Sequence, residues 1–289
     1  MPLSVILCTH NPRADHLGRT LTGLRAQTLP LTDWELLIVD NASSPPLAAA
    51  ALLAWHPAGR VVREPTLGLV AARLRGISEA AGDLIVFVDD DNVLAPDFLA
   101  IASGLARQSP DIGSFGGQVH GEYETPPSPW FAARLDRLAI REFSFDTRTR
   151  QLDPAIAPCG AGLCVRAAVA QEFRKNVLTN PRRHALGREG ERLFSGDDLD
   201  LAFTACDLGL EMARFPTLQL THLIPAHRLT LRYFARLTRS HARAQLALAE
   251  LRPALTDARH TAWAARRALW KWTLIAWAFS LFPSPRFTP

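Results

Sequence analysis

The sequence predicts an α/β fold, a mostly parallel sheet flanked by helices, with a helical extension at the C-terminus. Three observations predict it. Short apolar runs alternate with amphipathic stretches from the first residues onward, the pattern of right-handed βαβ crossovers. One run, Leu84-Ile85-Val86-Phe87-Val88, is apolar throughout, as in a strand buried on both faces. That run passes directly into Asp89-Asp90-Asp91-Asn92, at the carboxyl end of a strand, where such sheets bind ligands.

The elements follow in order. Ser4 to Cys8 is a short buried strand that ends at Thr9-His10-Asn11-Pro12. Leu17, Leu21 and Leu24 then share one face of a helix over residues 13–27. Glu35 to Val39 is the second strand, ending at Asp40-Asn41. A helix near 47–54 leads to a strand around 60–63, and a helix over 68–80 carries Arg73 and Arg75 among small residues. After the acids a helix spans 96–108, with Asp97 in its first turn where a carboxylate suits the macrodipole. A strand over 112–119 precedes an irregular, Pro-rich stretch, 121–154, of a length that usually lines a binding site. The Cys159-Gly160-Ala161-Gly162-Leu163 piece leads to a helix near 167–173, and a basic, broken segment over 174–192 suits a lid.

Bulk properties exclude several classes. At 289 residues and 48% hydrophobic content, the chain can bury one large α/β core. Its net charge is +4, and nearly all the positive charge is Arg, with Lys only at Lys175 and Lys271. No helix-turn-helix, zinc-finger or RNA-binding signature accompanies it, so nucleic acid is not expected as a partner. The four cysteines lack C-x-x-C spacing; three lie in apolar surroundings and read as small core residues, in a reducing, cytoplasmic setting. Gly160-Ala161-Gly162 lacks a third glycine and does not follow the first strand, so it is not a dinucleotide loop. It fits a close approach of a ligand to backbone.

Three adjacent carboxylates repel one another unless a cation neutralises them, and hard oxygen ligands suit Mg²⁺ or Mn²⁺. The same residues would also serve as an acidic turn capping the next helix. A second acid group, Asp197-Asp198, sits at a loop end before Leu199-Asp200-Leu201, where catalysis and helix capping are both open. Asp40 equally fits a turn, Arg73 a surface helix, and His222 a structural histidine after a strand.

Taken together, the end of the first strand, Val39-Asp40-Asn41-Ala42-Ser43, Phe87-Val88-Asp89-Asp90-Asp91-Asn92 and Gly196-Asp197-Asp198-Leu199-Asp200-Leu201 resemble the glycosyltransferase family 2 pattern. The resemblance runs over residues 3 to 225 and implies a GT-A fold, the Rossmann-like nucleotide-diphospho-sugar transferase sheet. It also implies a glycosyltransferase of inverting type, of the bacterial glycan-assembly kind. Thr9, His10 and Asn11 would border the nucleotide, Asp40 would bond its base, and Arg73 and Asp90 would lie beside it. Asp91, with Asp89 and a late His222, would hold Mn²⁺ or Mg²⁺. Asp198 would be the catalytic base, beside Asp197, which stands where the family usually has Glu. The donor would be a nucleotide-sugar, by family frequency a UDP-sugar, and the acceptor a glycan or lipid-linked glycan. An oligomer is left open.

The resemblance puts a catalytic domain at 1–228, with a nucleotide half to about 120 and an acceptor half from 121, and an extension at 229–289. In that extension Arg228, Arg232, Arg236, Arg239 and Arg243 form one helical stripe opposite Phe234, Leu237, Leu248 and Leu251. A basic amphipathic helix suits an anionic membrane surface or a lipid-pyrophosphate acceptor. Ala268 to Phe282 is apolar apart from Lys271. Its fifteen residues would span about 22 Å as a helix, short of a ~30 Å hydrocarbon core. The reading is therefore a membrane-associating extension that holds the protein peripherally on the inner face of the cytoplasmic membrane. Two alternatives are a nucleotidyltransferase on a similar sheet, which would want a Gly-rich basic loop after the first strand, and a catalytically silent membrane-bound scaffold.

Overall fold

The computed structural model describes residues 2–48, 52–190, 192–255, 263, 266, 267 and 269–271. Its centre is a mixed sheet in the order β3-β2-β1-β4-β8-β6-β9-β5. The strands are β1 (Leu3–Thr9), β2 (Trp34–Asn41), β3 (Gly59–Glu64), β4 (Leu84–Asp89), β5 (Asn92–Leu94), β6 (Ile112–Tyr123), β7 (Thr147–Thr149), β8 (Cys164–Arg166) and β9 (Glu211–Ile224). Strands β1 to β4 form an all-parallel half. Strand β8 joins it antiparallel to β4 and to β6, and the long β6–β9 pair is parallel again. Most of the paired residues thus lie in parallel ladders, as the strand–helix alternation predicts.

Two cores sandwich the sheet, and β1 shows why its residues are apolar on both sides. Val5 and Leu7 point into a core with Leu17, Leu21 and Leu24 of α1 (Ala14–Arg25). Ile6 and Cys8 point into the other, with Val70 and Ile77 of α2 (Leu69–Glu79). Helix α3 (Phe98–Gln108) completes the first layer through Phe98, Leu99 and Ala102. Helices α4 (Ala167–Thr179) and α5 (Asp197–Asp207) complete the second through Phe173 and Phe203. Each fully buried side chain of this size contributes roughly 1.5–3 kcal/mol over its exposed state.

The helix expected near 47–54 includes residues 49–51, which lie outside the described residues. Three features depart from the sequence reading. The strand expected to end at 119 continues to Tyr123, because parallel pairing with β9 persists to Ile224. The 121–154 stretch contains a helical turn at Pro129–Ala132, a 3-10 turn at Leu135–Leu138 and strand β7. Finally, α6 (Leu231–Leu251) does not stand apart from the catalytic body. Phe234 packs edge-on to Trp130, Leu237 joins Leu138 and Ile224, and Leu248 enters the second core. Arg252, just past α6, bonds Asp200 (2.6 Å) and Asp207 (2.8 Å) of α5. Packing therefore continues through residue 228 without a break.

The basic stripe is shorter than expected as well. Arg232, Arg236 and Arg243 are exposed on α6, whereas Arg228 precedes the helix in a 3-10 turn and points inward. Among the described residues, no helix is long and apolar enough to cross a membrane. The apolar 268–282 segment lies outside them apart from residues 269–271.

Candidate active site

A cleft of about 450 Å³ opens at the carboxyl ends of β1, β2 and β4, and both acid clusters line it. The fold explains how acids about 100 residues apart meet. Strand β4 delivers Asp89, Asp90 and Asp91, and the N-terminus of α5 delivers Asp197 and Asp198.

Asp91 is held from three sides. Asn92 donates to its Oδ1 at 3.0 Å, while His222 Nε2 lies 3.4 Å and an Arg228 guanidinium nitrogen 3.1 Å from its Oδ2. The sheet brings His222 there, because Asn92 of β5 and His222 of β9 are register partners. His222 Nδ1 donates to the Leu138 carbonyl at 3.0 Å, so Nε2 is the nitrogen turned to the acid. Burial opposes charge on Asp91, but His222 and then Arg228 hold its carboxyl below the usual carboxylate range. Asp89 is pushed upward by burial and then by the charge of Asp91. Asp90, hydrogen-bonded by the Thr9 hydroxyl, is raised to about 7 by burial and then by Asp91.

A buried carboxylate and a histidine whose second nitrogen is fixed by a carbonyl fit a hard divalent ion. Asp91 and His222 are poised together, with Arg228 supplying positive charge beside them. Asp89 does not join them: among the described residues the three-group cluster within 4.8 Å is Asp15, His16 and Glu124. That cluster already has a cation, since Arg13 pairs with both Asp15 and Glu124.

The raised Asp90 has a pH consequence. Its neutral form is favoured in the folded state, so its contribution to stability is complete below about pH 4 and fades as pH rises to about 7.

The second acid pair divides its work. Asp197 is buried against the equally buried Arg73, which also stacks on Phe87 at 5.5 Å. Burial opposes the Arg73 charge, but Asp197, Asp89 and Asp198 outweigh it and raise its pKa. Arg73 thus lines the cleft with its guanidinium committed to Asp197, where a nucleotide contact was expected. Asp198 faces the cleft, its Oδ2 accepting from the Gly160 N–H (3.0 Å) and its Oδ1 from the Leu199 N–H (2.9 Å). Each oxygen keeps a lone pair. Gly160 is required by its neighbours, since a Cβ there would come within 2.7 Å of the Arg73 guanidinium.

On the nucleotide side, Thr9 and His10 line the cleft, with His10 Nδ1 bonded to the Asn41 carbonyl at 2.7 Å. Asn11 and Asp40 are not among its lining residues. Asn11 takes a left-handed conformation (φ 46°) and braces the Ser43–Ser44 turn. Asp40 is a turn residue here: its oxygens accept from the Ser43 and Leu47 amides and from Arg63 (2.6 Å). Asn41 lines the cleft in its place, accepting from the Gly68 amide at 2.8 Å.

Arg228, Arg137, Arg141, Arg188, Tyr233 and His241 also line the cleft and were not singled out as site residues from sequence. Arg228 carries one legible signal, its place six residues after His222 on the far side of a proline.

The family model for "Glycosyl transferase family 2" matches residues 4–173, more than half of the chain. The chain belongs to glycosyltransferase family 2. Among curated relatives, "Glycosyltransferase AglE" of Haloferax volcanii is 29% identical over 214 residues, 73% of this chain and 63% of that protein. "Uncharacterized glycosyltransferase YwdF" of Bacillus subtilis is 34% identical over 96 residues, 33% of this chain and 35% of that protein. The chain thus spans between about a third and just under two thirds of the length of these relatives. Among solved structures, S. aureus TarS 1-349 superimposes with a TM-score of 0.58 at 16% identity, covering 100% of this chain and 76% of that one. The same TarS fragment in complex with UDP gives 0.52 at 17% identity, covering 97% and 73%. The likeness to TarS shows that this family 2 chain has the GT-A-like fold.

Proposed function

We propose that the chain is an inverting, divalent-metal-dependent glycosyltransferase. It moves a sugar from a nucleotide-diphosphate donor, a UDP-sugar, to a hydroxyl of a lipid-linked or cell-surface glycan. The observation that carries this reading is the convergence of the β4 acids and Asp198 on one cleft. The UDP named with the TarS neighbour supports the choice of donor.

In this reading Thr9, His10 and Asn41 border the nucleotide, and Asp91 and His222 would hold Mn²⁺ or Mg²⁺. The ion would supply charge neutralisation at the departing diphosphate. Asp198 takes the proton of the acceptor hydroxyl as its oxygen bonds to the anomeric carbon. The bond from that carbon to the diphosphate oxygen breaks in the same displacement, which inverts the centre, and the nucleoside diphosphate leaves with its electron pair. Asp197 holds Arg73, and Arg73 packs against Gly160, so the pair fixes the wall on which Asp198 rests. The intact acids favour this over a silent scaffold. Thr9-His10-Asn11-Pro12 after β1, in place of a Gly-rich basic loop, favours it over a nucleotidyltransferase.

The test is release of UDP from UDP-sugars in the presence of Mn²⁺. Asp91→Asn should reduce it on the order of 10²-fold, as expected when a metal ligand is weakened. Unchanged Mn²⁺ dependence in that variant removes Asp91 from the ligand set.

We also place the protein peripherally on a membrane, through the exposed arginines of α6 and the terminal apolar residues. Removing residues 260–289 should release it from vesicles containing anionic lipid. Undiminished co-sedimentation of the truncated chain contradicts this.

A further inference from the structure

Arg228 makes the two contacts that a divalent ion would need. Asn92 holds Oδ1 of Asp91, which leaves Oδ2 as the oxygen turned to His222 and Arg228. His222 Nε2 stands 3.4 Å from that oxygen, close to the ~3 Å between neighbouring ligands of an octahedral ion held at ~2.1 Å. A guanidinium nitrogen of Arg228 touches both, 3.1 Å from Oδ2 and 3.1 Å from Nε2. A guanidinium only donates, and His222 Nδ1 already donates to the Leu138 carbonyl, so Nε2 accepts from Arg228. An imidazole nitrogen has a single lone pair. Nε2 therefore serves Arg228 or an ion, never both at once. The charge of Asp91 is likewise matched by Arg228, so a free cation gains little from it. The backbone fixes Arg228 while its side chain can leave. Its N–H donates to the Pro225 carbonyl at 2.9 Å in the 3-10 turn Ala226–Leu229, and Thr230 caps α6 directly afterwards. The side chain is 20% exposed and lines the cleft, so a change of rotamer carries the guanidinium off the pair.

We propose that Arg228 is a resident counter-ion that competes with the divalent ion for Asp91 and His222, and yields them when a nucleoside diphosphate arrives. The proposal rests on the transferase reading, which puts ion and diphosphate at this end of the cleft. With Arg228 seated, Asp91 is neutralised and His222 has no lone pair to offer. A diphosphate brings negative charge that the displaced guanidinium can pair with, so the exchange is easiest when ion and nucleotide come together. Arg228 thereby couples the two ligands, and each tightens the other by the same factor. Without the nucleotide, it keeps divalent cations off the pair. No covalent bond is made or broken in the exchange.

Mn²⁺ titration of the whole chain, with and without saturating UDP and read by the paramagnetic resonance of the free ion, tests it. The wild type should bind Mn²⁺ about tenfold or more tighter with UDP than alone. Arg228→Met removes the competitor and keeps much of the side chain's length. Mn²⁺ alone should then bind about fivefold or more tighter than in the wild type, and the factor gained from UDP should shrink. Arg188→Gln is the control for charge alone, because it takes a cation from the same cleft at a residue that, among the described residues, bonds neither Asp91 nor His222. Its effect on Mn²⁺ should be several-fold smaller than that of Arg228→Met. The Arg228 side chain is partly exposed, so its replacement spares the core, and the wild-type comparison needs no variant at all. Mn²⁺ affinity of Arg228→Met no tighter than that of the wild type overturns the proposal. So does a wild type that binds Mn²⁺ equally with and without UDP. An equal gain in Arg188→Gln also overturns it, by giving the effect to the charge of the whole cleft. These three results leave the ion site of the transferase reading standing. Absence of Mn²⁺ binding in both the wild type and Arg228→Met, with or without UDP, overturns the proposal and that reading together.

Discussion

Replacing Asp198 with Asn should lower transfer on the order of 10²–10⁴-fold, the usual contribution of a positioned general base. The geometry says why the loss should be confined to the chemical step. The Asp198 carboxylate is anchored by the Gly160 and Leu199 amides, and an amide side chain keeps a carbonyl to accept one of these bonds. It cannot take a proton from the acceptor. Nucleotide binding, which the reading assigns to β1, β2 and β4, should change less than about twofold, because none of those contacts involves Asp198. Transfer assays with single-turnover analysis and parallel UDP titrations check both halves. Normal transfer by Asp198→Asn removes the base assignment, and a matching loss of UDP affinity turns Asp198 into a donor-binding residue.

The second large effect is on stability. Arg73 and Asp197 are 3% and 2% exposed and pair with each other across the wall of the cleft. Arg73→Ala leaves the Asp197 carboxylate buried without its partner, which costs about 3–5 kcal/mol. The double variant Arg73→Met/Asp197→Leu should recover much of that loss, because replacing both partners removes the stranded charge. Urea unfolding of the two variants measures the difference. A cost below about 1 kcal/mol for Arg73→Ala would mean that water reaches Asp197, and would put the pair at the level of a surface contact.

The parallel half of the sheet was legible because it depends on local pattern. The uninterrupted apolar runs of β1, β2 and β4 name strands buried on both faces, and the acids after β4 mark the ligand end. Asp198 was legible through its motif. What was not legible depends on register between distant strands. The β5–β9 pairing sets His222 opposite Asn92 and so beside Asp91; the family resemblance implied that neighbourhood, but no spacing in the chain states the pairing. Arg228 read as the first member of a helical stripe because its spacing fits, yet the chain turns at Pro225 and α6 starts at Leu231. Asp40 shows the opposite limit. A carboxylate after a strand suits a ligand, but here the Ser43 and Leu47 amides and Arg63 take its oxygens. Local turn chemistry won over the strand-end position.

In the proposed reading this cleft binds a nucleoside diphosphate through a divalent ion. Calorimetric titration with UDP, GDP, dTDP and CDP, each with and without Mn²⁺, tests it most directly. UDP should bind only with Mn²⁺, and Asp91→Asn should weaken that binding on the order of 10²-fold. Folded protein that binds none of the four nucleotides, with or without the ion, would contradict it.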